Sequence, residues 1–129
     1  MKGLKADGTP IRVMAEDDSP VIRKPIRKAL EPEGFAVVGE AGNGKEAVAL
    51  FQALRPDVIT MDITMPVMDG LEAATAIKQA NPAQPIIMLS AMGDAELVAD
   101  ARRRGITHFS TKPFKPQEMV ENVLAVLGS

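Results

Sequence analysis

The sequence has no cysteine, no tryptophan and no tyrosine, and only four phenylalanines among its 129 residues. Without cysteine the chain has neither disulfide bonds nor thiolate metal sites. The shortage of aromatic rings argues against a flavin pocket or a stacking platform for single-stranded nucleic acid. No long apolar run or apolar N-terminal segment indicates a membrane span or a signal peptide, so we expect a cytoplasmic protein.

An excess of charge of either sign is also lacking. The chain carries 15 basic and 17 acidic residues, a formal net charge of −2 at pH 7. This balance argues against direct partnership with nucleic acid or with a membrane surface. The length is that of one ordinary domain. Residues 1–10 are polar and rich in glycine and proline turns, so we expect a flexible lead-in followed by a single domain over 11–129.

Short apolar runs alternate with amphipathic stretches along the rest of the chain. The predicted strands are 11–15, 36–38, 58–61, 86–89 and 108–110, and the predicted helices are 20–31, 44–54, 71–80, 95–104 and 116–127. Apolar runs without alternation are typical of parallel strands that helices cover on both faces. The sequence therefore predicts an α/β fold with five strand and helix units.

The first predicted helix contains Pro25. Proline in a helix interior removes one backbone hydrogen bond and costs roughly 3 kcal/mol. We therefore predict a kink or a late helix start within 20–30.

Polar residues follow the predicted strands. They are Glu16, Asp17 and Asp18 after the first strand, Asp62 after the third, Ser90 after the fourth and Lys112 after the fifth. In an open α/β sheet, ligands bind beyond the carboxyl ends of the strands. Because side chains alternate along a strand, Glu16 and Asp17 point in opposite directions. We therefore expect Asp17, Asp18 and Asp62 to converge.

Carboxylates without histidine or cysteine make a hard oxygen site, which suits Mg²⁺, with Mn²⁺ as an alternative. A lysine and a hydroxyl beside a magnesium site suggest that the ligand is a phosphoryl group. A carboxylate can itself accept that group as an acyl phosphate, and Asp62 is the candidate acceptor.

Four segments of the chain resemble the successive motifs of response-regulator receiver domains. They are MAEDDSPVIRK, PDVITMDITMPVMDG, IIMLSA and HFSTKPF. The resemblance covers residues 11–127 and is closest to stand-alone chemotaxis proteins of the CheY type. It implies a flavodoxin-like (βα)5 three-layer sandwich whose parallel strands have the order 2-1-3-4-5.

The resemblance also implies a role for each site residue. Asp62 would accept the phosphoryl group from a histidine kinase. Asp18, Asp62 and the backbone carbonyl of Thr64 would bind Mg²⁺ directly, and Asp17 would bind it mainly through water.

Three further positions carry roles implied by the same resemblance. Ser90 would donate a hydrogen bond to one phosphoryl oxygen, and Lys112 would pair with another. Phe109 occupies the family's aromatic switch position and would reorient as Ser90 moves. The Lys112–Pro113 peptide bond would be cis.

The function implied is a phosphorylation-activated switch in a two-component or chemotaxis pathway. Phosphorylation would alter the surface formed by the fourth helix, the fifth strand and the fifth helix. That surface would then bind a downstream target, such as a flagellar switch component. We expect a monomer that is not a conventional enzyme and catalyses only its own phosphorylation and dephosphorylation.

Other interpretations of the sequence remain. Residues 39–45 fit the start of a nucleotide-binding P-loop, but Glu46 stands where that motif needs serine or threonine, which favours a glycine-rich turn. A haloacid-dehalogenase type phosphohydrolase would have a second aspartate at position 64, where this chain has threonine. A constitutive interaction module with a vestigial site, or a receiver domain cut from a larger regulator, is a further alternative. The last predicted helix ends next to the chain's final residues, which favours a free-standing domain.

Overall fold

The computed structural model describes residues 2–17, 20–63 and 68–128. Within these residues, five strands alternate with five α-helices, and a short 3₁₀ helix follows the first of them. The strands are β1 (Arg12–Glu16), β2 (Ala36–Ala41), β3 (Val58–Asp62), β4 (Ile86–Ser90) and β5 (Phe109–Thr111). The helices are α1 (Pro20–Leu30), α2 (Gly44–Leu54), α3 (Gly70–Ala80), α4 (Ala95–Arg103) and α5 (Pro116–Leu127), with the 3₁₀ helix over Glu31–Glu33.

The strands form one parallel sheet in the order β2-β1-β3-β4-β5. This confirms the predicted α/β class and the flavodoxin-like order that the resemblance implies. Every residue of β3 and β4 is buried, which explains why these segments are apolar almost throughout. No helix in the described part of the chain is both long and apolar enough to cross a membrane.

Helices cover both faces of the sheet. On one face, α2, α3 and α4 pack on a core that includes Met14, Met61 and Met88. On the other face, α1 and α5 pack on a core that includes Ala15 and Leu89. We call these the α3 face and the α5 face. The alternation of side chains along each strand assigns every strand residue to one of them.

Strand β2 is longer than predicted. It extends through Gly39 and Glu40, which pair with Met14 and Ala15 beyond an irregularity in the register of β1 and β2. Glycine and glutamate are poor strand formers, so the sequence pattern ended the strand too early.

Helix α1 is continuous from Pro20 to Leu30 with Pro25 inside it. The late start that Pro25 suggested is therefore wrong, while the kink stays a prediction. The residues that follow Pro25 explain why the helix persists, since Ile26, Ala29 and Leu30 are buried in the core of the α5 face. Each large apolar side chain buried in this way contributes about 1.5–3 kcal/mol, which outweighs one lost hydrogen bond.

The segment that precedes β1 contacts the amino end of the sheet. The backbone N–H of Gly3 donates to the carbonyl of Glu33 at 2.8 Å. A Cβ atom at Gly3 would overlap the backbone of Phe35, so only glycine fits this position. Residues 3–10 were expected to belong to a flexible lead-in. The structure shows defined contacts for this segment, and its flexibility stays a prediction.

An ion pair joins the same segment to the start of β3. Lys5 Nζ lies 2.9 Å from Asp57 Oδ2. The same carboxylate oxygen accepts the backbone N–H of Arg12 at 2.8 Å. Asp57 thus links the N-terminal segment, β1 and β3 at the amino end of the sheet.

Candidate functional site

The polar residues selected from the sequence lie at the carboxyl edge of the sheet. Asp62 and Ser90 are the last residues of β3 and β4, while Asp17 and Lys112 directly follow β1 and β5. The backbone N–H of Lys112 donates to the carbonyl of Ser90 at 2.7 Å. Continued strand pairing therefore holds the lysine beside the end of β4.

Lys112 connects two of the predicted carboxylates. Its Nζ lies 3.1 Å from Asp17 Oδ2 and 3.1 Å from Asp62 Oδ1. Both aspartates are buried, with 1% and 4% of their surface exposed. Carboxylates are almost never buried without partners of opposite charge or hydrogen-bond donors. The contacts made by Lys112 thus help to keep both carboxylates in a largely dehydrated position.

The pKa of Lys112 reflects the same contacts. Burial disfavours the charged ammonium and by itself lowers the pKa. The hydrogen bonds and negative charges of Asp62 and Asp17 outweigh this effect, so the pKa of Lys112 is raised above its usual value. The side chain is therefore a permanent cation at neutral pH.

The donor set fits a hard divalent cation. Asp17 and Asp62 place two carboxylates around a single ammonium group, and carboxylate oxygens are the ligands that Mg²⁺ prefers. The other two predicted ligands, Asp18 and the carbonyl of Thr64, lie outside the described residues. Over residues 2–17, 20–63 and 68–128, no group of three or more histidine, cysteine, aspartate or glutamate side chains forms a candidate metal cluster.

Ser90 and Phe109 lie on the same face of the sheet. Phe109 pairs in register with Met88, and both pack with the core of the α3 face. Ser90 is two residues beyond Met88 and is buried, so side-chain alternation directs it to that face as well. A change in the position of Ser90 would thus act on the core against which Phe109 packs.

Glu16 is fully buried. It precedes Asp17, and side-chain alternation places it with Met14 on the α3 face. It therefore points away from Asp17, as side-chain alternation predicted, and Glu16 and Asp17 face opposite sides of the sheet.

Gly70, the first residue of α3, was not among the residues selected from the sequence. A Cβ atom at this position would overlap the carbonyl oxygen of Asp62. Gly70 therefore packs directly on the backbone of the predicted phosphoacceptor. Asp69 is the N-cap of α3, and its side chain accepts the N–H of Glu72 at 2.8 Å. A capping aspartate predicts where the helix begins, but it does not predict the close approach of Gly70 to Asp62.

The turn between β2 and α2 does not have the features of a nucleotide-binding loop. Asn43 caps α2 by accepting the N–H of Glu46 at 2.9 Å. The N–H of Gly44 donates to the carbonyl of Met68 at 2.9 Å and so does not face open space. The turn instead supports Met68, which lies just before α3.

Comparison with known proteins identifies a family for this chain. The sequence profile of the response regulator receiver domain matches residues 13–124. The chemotaxis protein CheY of Thermotoga maritima is 42% identical over 110 residues, which span 85% of this chain and 92% of that protein. The CheY of Bacillus subtilis is 43% identical over 117 residues, 91% of this chain and 98% of that protein.

Solved structures give the same result. A crystal structure from Borrelia burgdorferi, described as a complex of CheX, CheY, BeF3 and Mg²⁺, superposes with a TM-score of 0.90. The two chains are 33% identical, and the match covers 97% of this chain and 96% of the other. The receiver domain of NtrX from Brucella abortus superposes with a TM-score of 0.82 at 28% identity, over 91% of this chain and 98% of that domain.

Proposed function

The chain belongs to the response regulator receiver domain family, and from that premise we propose that Asp62 is its phosphoacceptor. The observation that carries the proposal is the single lysine ammonium held between Asp62 and Asp17 at the buried carboxyl edge of the sheet. A cation fixed beside an acceptor carboxylate neutralises the charge that arrives with a phosphoryl group. The donor would be a phosphohistidine on a histidine kinase.

The transfer forms one bond and breaks one. An Oδ lone pair of Asp62 forms the new O–P bond as the N–P bond of the phosphohistidine breaks and the histidine nitrogen keeps the electron pair. The product is an acyl phosphate whose phosphoryl group carries about −1.5 to −2 charge in place of the single charge of the carboxylate, so this edge gains up to about one negative charge. Lys112 pairs with one of the new oxygens, and the hydroxyl of Ser90 donates a hydrogen bond to another.

Mg²⁺ is the cofactor that this donor set would bind, with Mn²⁺ as an alternative. Asp18, Asp62 and the carbonyl of Thr64 would hold it directly and Asp17 through water. When bound, the cation supplies positive charge that screens the phosphoryl oxygens from the carboxylates. The carboxylates in turn orient Lys112, which keeps its charge at neutral pH.

The readout of phosphorylation is a change in the α4, β5 and α5 surface. Movement of Ser90 toward the phosphoryl group alters the core of the α3 face, and Phe109 repacks in response. This shifts the population between two arrangements and changes the affinity of that surface for a downstream target. A flagellar switch component is one such target. We propose that the domain comprises residues 11–129 and acts as a cytoplasmic monomer that catalyses only its own phosphorylation and dephosphorylation.

Intact mass spectrometry tests the proposal. The protein is incubated with Mg²⁺ and acetyl phosphate, a small phosphodonor, and one phosphoryl group should be added to the wild type and none to Asp62→Asn. Asp57→Asn is the matched control, because it changes an aspartate at the opposite end of the sheet and should still be labelled. An unmodified wild type, or labelling of Asp62→Asn, would contradict the proposal.

A further inference from the structure

Arg102 lies over the ring of Phe109. The guanidinium carbon is 4.8 Å from the ring centroid, within the range of a cation–π interaction. Arg102 belongs to the last turn of α4, and Phe109 is the first residue of β5. The contact therefore joins two of the elements that form the proposed output surface.

Phe109 is only half-buried, and its guanidinium partner is exposed to water. Both residues line the same depression of about 210 Å³ between α4, β5 and α5. The ring thus has core residues on one side and an open, charged environment on the other. Its position therefore depends on how its packing against the core compares with its contact with Arg102.

We propose that Arg102 is a positioning residue that holds Phe109 in this half-exposed place and so opposes activation. The inference rests on the proposed function, in which Phe109 repacks as Ser90 moves, and it takes that repacking to turn the ring inward. A ring that turns into the core of the α3 face cannot take the guanidinium with it, because a buried cation without a partner is strongly disfavoured. The contact is therefore lost on activation and stabilises only the unphosphorylated arrangement.

Linkage gives the direction of the effect. A contact that is made in one state alone lowers the population of the other state. It lowers the binding affinity of any ligand that prefers the other state by the same factor as that population. An exposed cation–π contact is worth about a two- to fivefold change in such an equilibrium. Removing it should strengthen binding of a phosphoryl mimic at Asp62 by about that factor.

The neighbouring Arg103 provides a matched control. It lies on the same helical turn, its side chain is 72% exposed, and it pairs with Asp100 at 3.7 Å. Arg103→Met removes the same charge from α4 as Arg102→Met. Any effect of net charge alone is therefore the same in the two variants.

The test measures the affinity of beryllium fluoride in the presence of saturating Mg²⁺. Arg102→Met should bind about two- to fivefold more tightly than Arg103→Met. Equal affinities, or weaker binding by Arg102→Met, would overturn the inference. A wild type that binds no beryllium fluoride would instead contradict the proposed function.

A second measurement separates a switch contact from a purely structural one. In a Phe109→Leu background the ring is absent, so Arg102→Met and Arg103→Met should then bind beryllium fluoride equally. Persistence of the difference in that background would show that Arg102 acts through another group, and the inference would be wrong.

Discussion

The two ends of the sheet each carry a lysine paired with an aspartate, at almost the same distance. At the amino end, Lys5 Nζ lies 2.9 Å from Asp57. At the carboxyl end, Lys112 Nζ lies 3.1 Å from Asp62. The side chains of the first pair are 39% and 29% exposed, whereas those of the second are 20% and 6% exposed. Similar chemistry is thus placed in two different environments.

The difference in partners matters as much as the difference in burial. Asp57 meets one lysine and one backbone N–H, so its charge is matched by ordinary structural contacts. Lys112 instead faces two buried carboxylates. An exposed pair of opposite charges stabilises a fold slightly. Two buried carboxylates in contact with one lysine are the arrangement on which the proposed metal and phosphoryl site rests.

Lys112→Met should give the largest effect. Loss of a cation aimed at developing phosphoryl charge is expected to slow labelling by acetyl phosphate about a hundredfold. The same change should strengthen Mg²⁺ binding, because it removes a positive charge from beside two carboxylates. Rates come from mass spectrometry and metal affinity from calorimetry.

Lys5→Met is the control at the opposite end and should change neither quantity. Equal slowing in the two variants would mean that the two ends do not differ in function.

Two tightly packed glycines extend the comparison. Gly70→Ala and Gly3→Ala each place a methyl group where backbone atoms of another segment leave no room for it. Each should therefore lower the free energy of unfolding by about 1–3 kcal/mol. Only Gly70→Ala displaces Asp62, so only this variant should lose labelling in the fraction that remains folded. Denaturant unfolding and labelling rates give the two readouts. Normal labelling of folded Gly70→Ala would refute the positioning role of Gly70.

Substitutions at Thr64 and Met92 should have a more modest effect, which is on the lifetime of the acyl phosphate. Thr64 and Met92 lie two residues beyond Asp62 and Ser90, and neither is an acid or amide that orients water well. Met92 is 93% exposed, while Thr64 lies outside the described residues. The double variant Thr64→Asn/Met92→Glu should therefore lose its phosphoryl group several times faster than the wild type. The decay of labelled protein over time measures this loss. A slower decay in the double variant would contradict the expectation.

The smallest effect is expected for the amino-end ion pair itself. Lys5→Met should lower the free energy of unfolding by less than about 1 kcal/mol. The difference from wild type should shrink at high salt, because exposed charges are screened. Unfolding in denaturant at two salt concentrations measures it. A loss that does not depend on salt would mean that Lys5 acts mainly through packing.

Most of the fold could be predicted because its signals are local. Apolar runs identified the strands, and their carboxyl ends then indicated where Asp62, Ser90 and Lys112 would meet. The ion pairs of Lys112 with Asp17 and Asp62 agree with the predicted convergence of Asp17 and Asp62. The cis peptide bond at Lys112–Pro113, which the resemblance implied, is also present.

The contacts that escaped prediction are between residues distant in sequence. Nothing local in the sequence indicates that Lys5 pairs with Asp57. Arg102 is one of three consecutive arginines, and nothing in that run indicates that its guanidinium lies over Phe109. Periodicity predicts which face of a helix is buried, but it does not predict which exposed side chain folds back onto a ring.

Chemical localisation of the phosphoryl group tests the central claim most directly. Borohydride reduces an acyl phosphate to an alcohol, so a phosphorylated aspartate appears as homoserine in a peptide map. After incubation of the wild type with acetyl phosphate and Mg²⁺, we predict homoserine at position 62 and aspartate unchanged at position 57. Homoserine at another aspartate, or at none, would contradict the assignment of the carboxyl end of the sheet as the phosphorylation site.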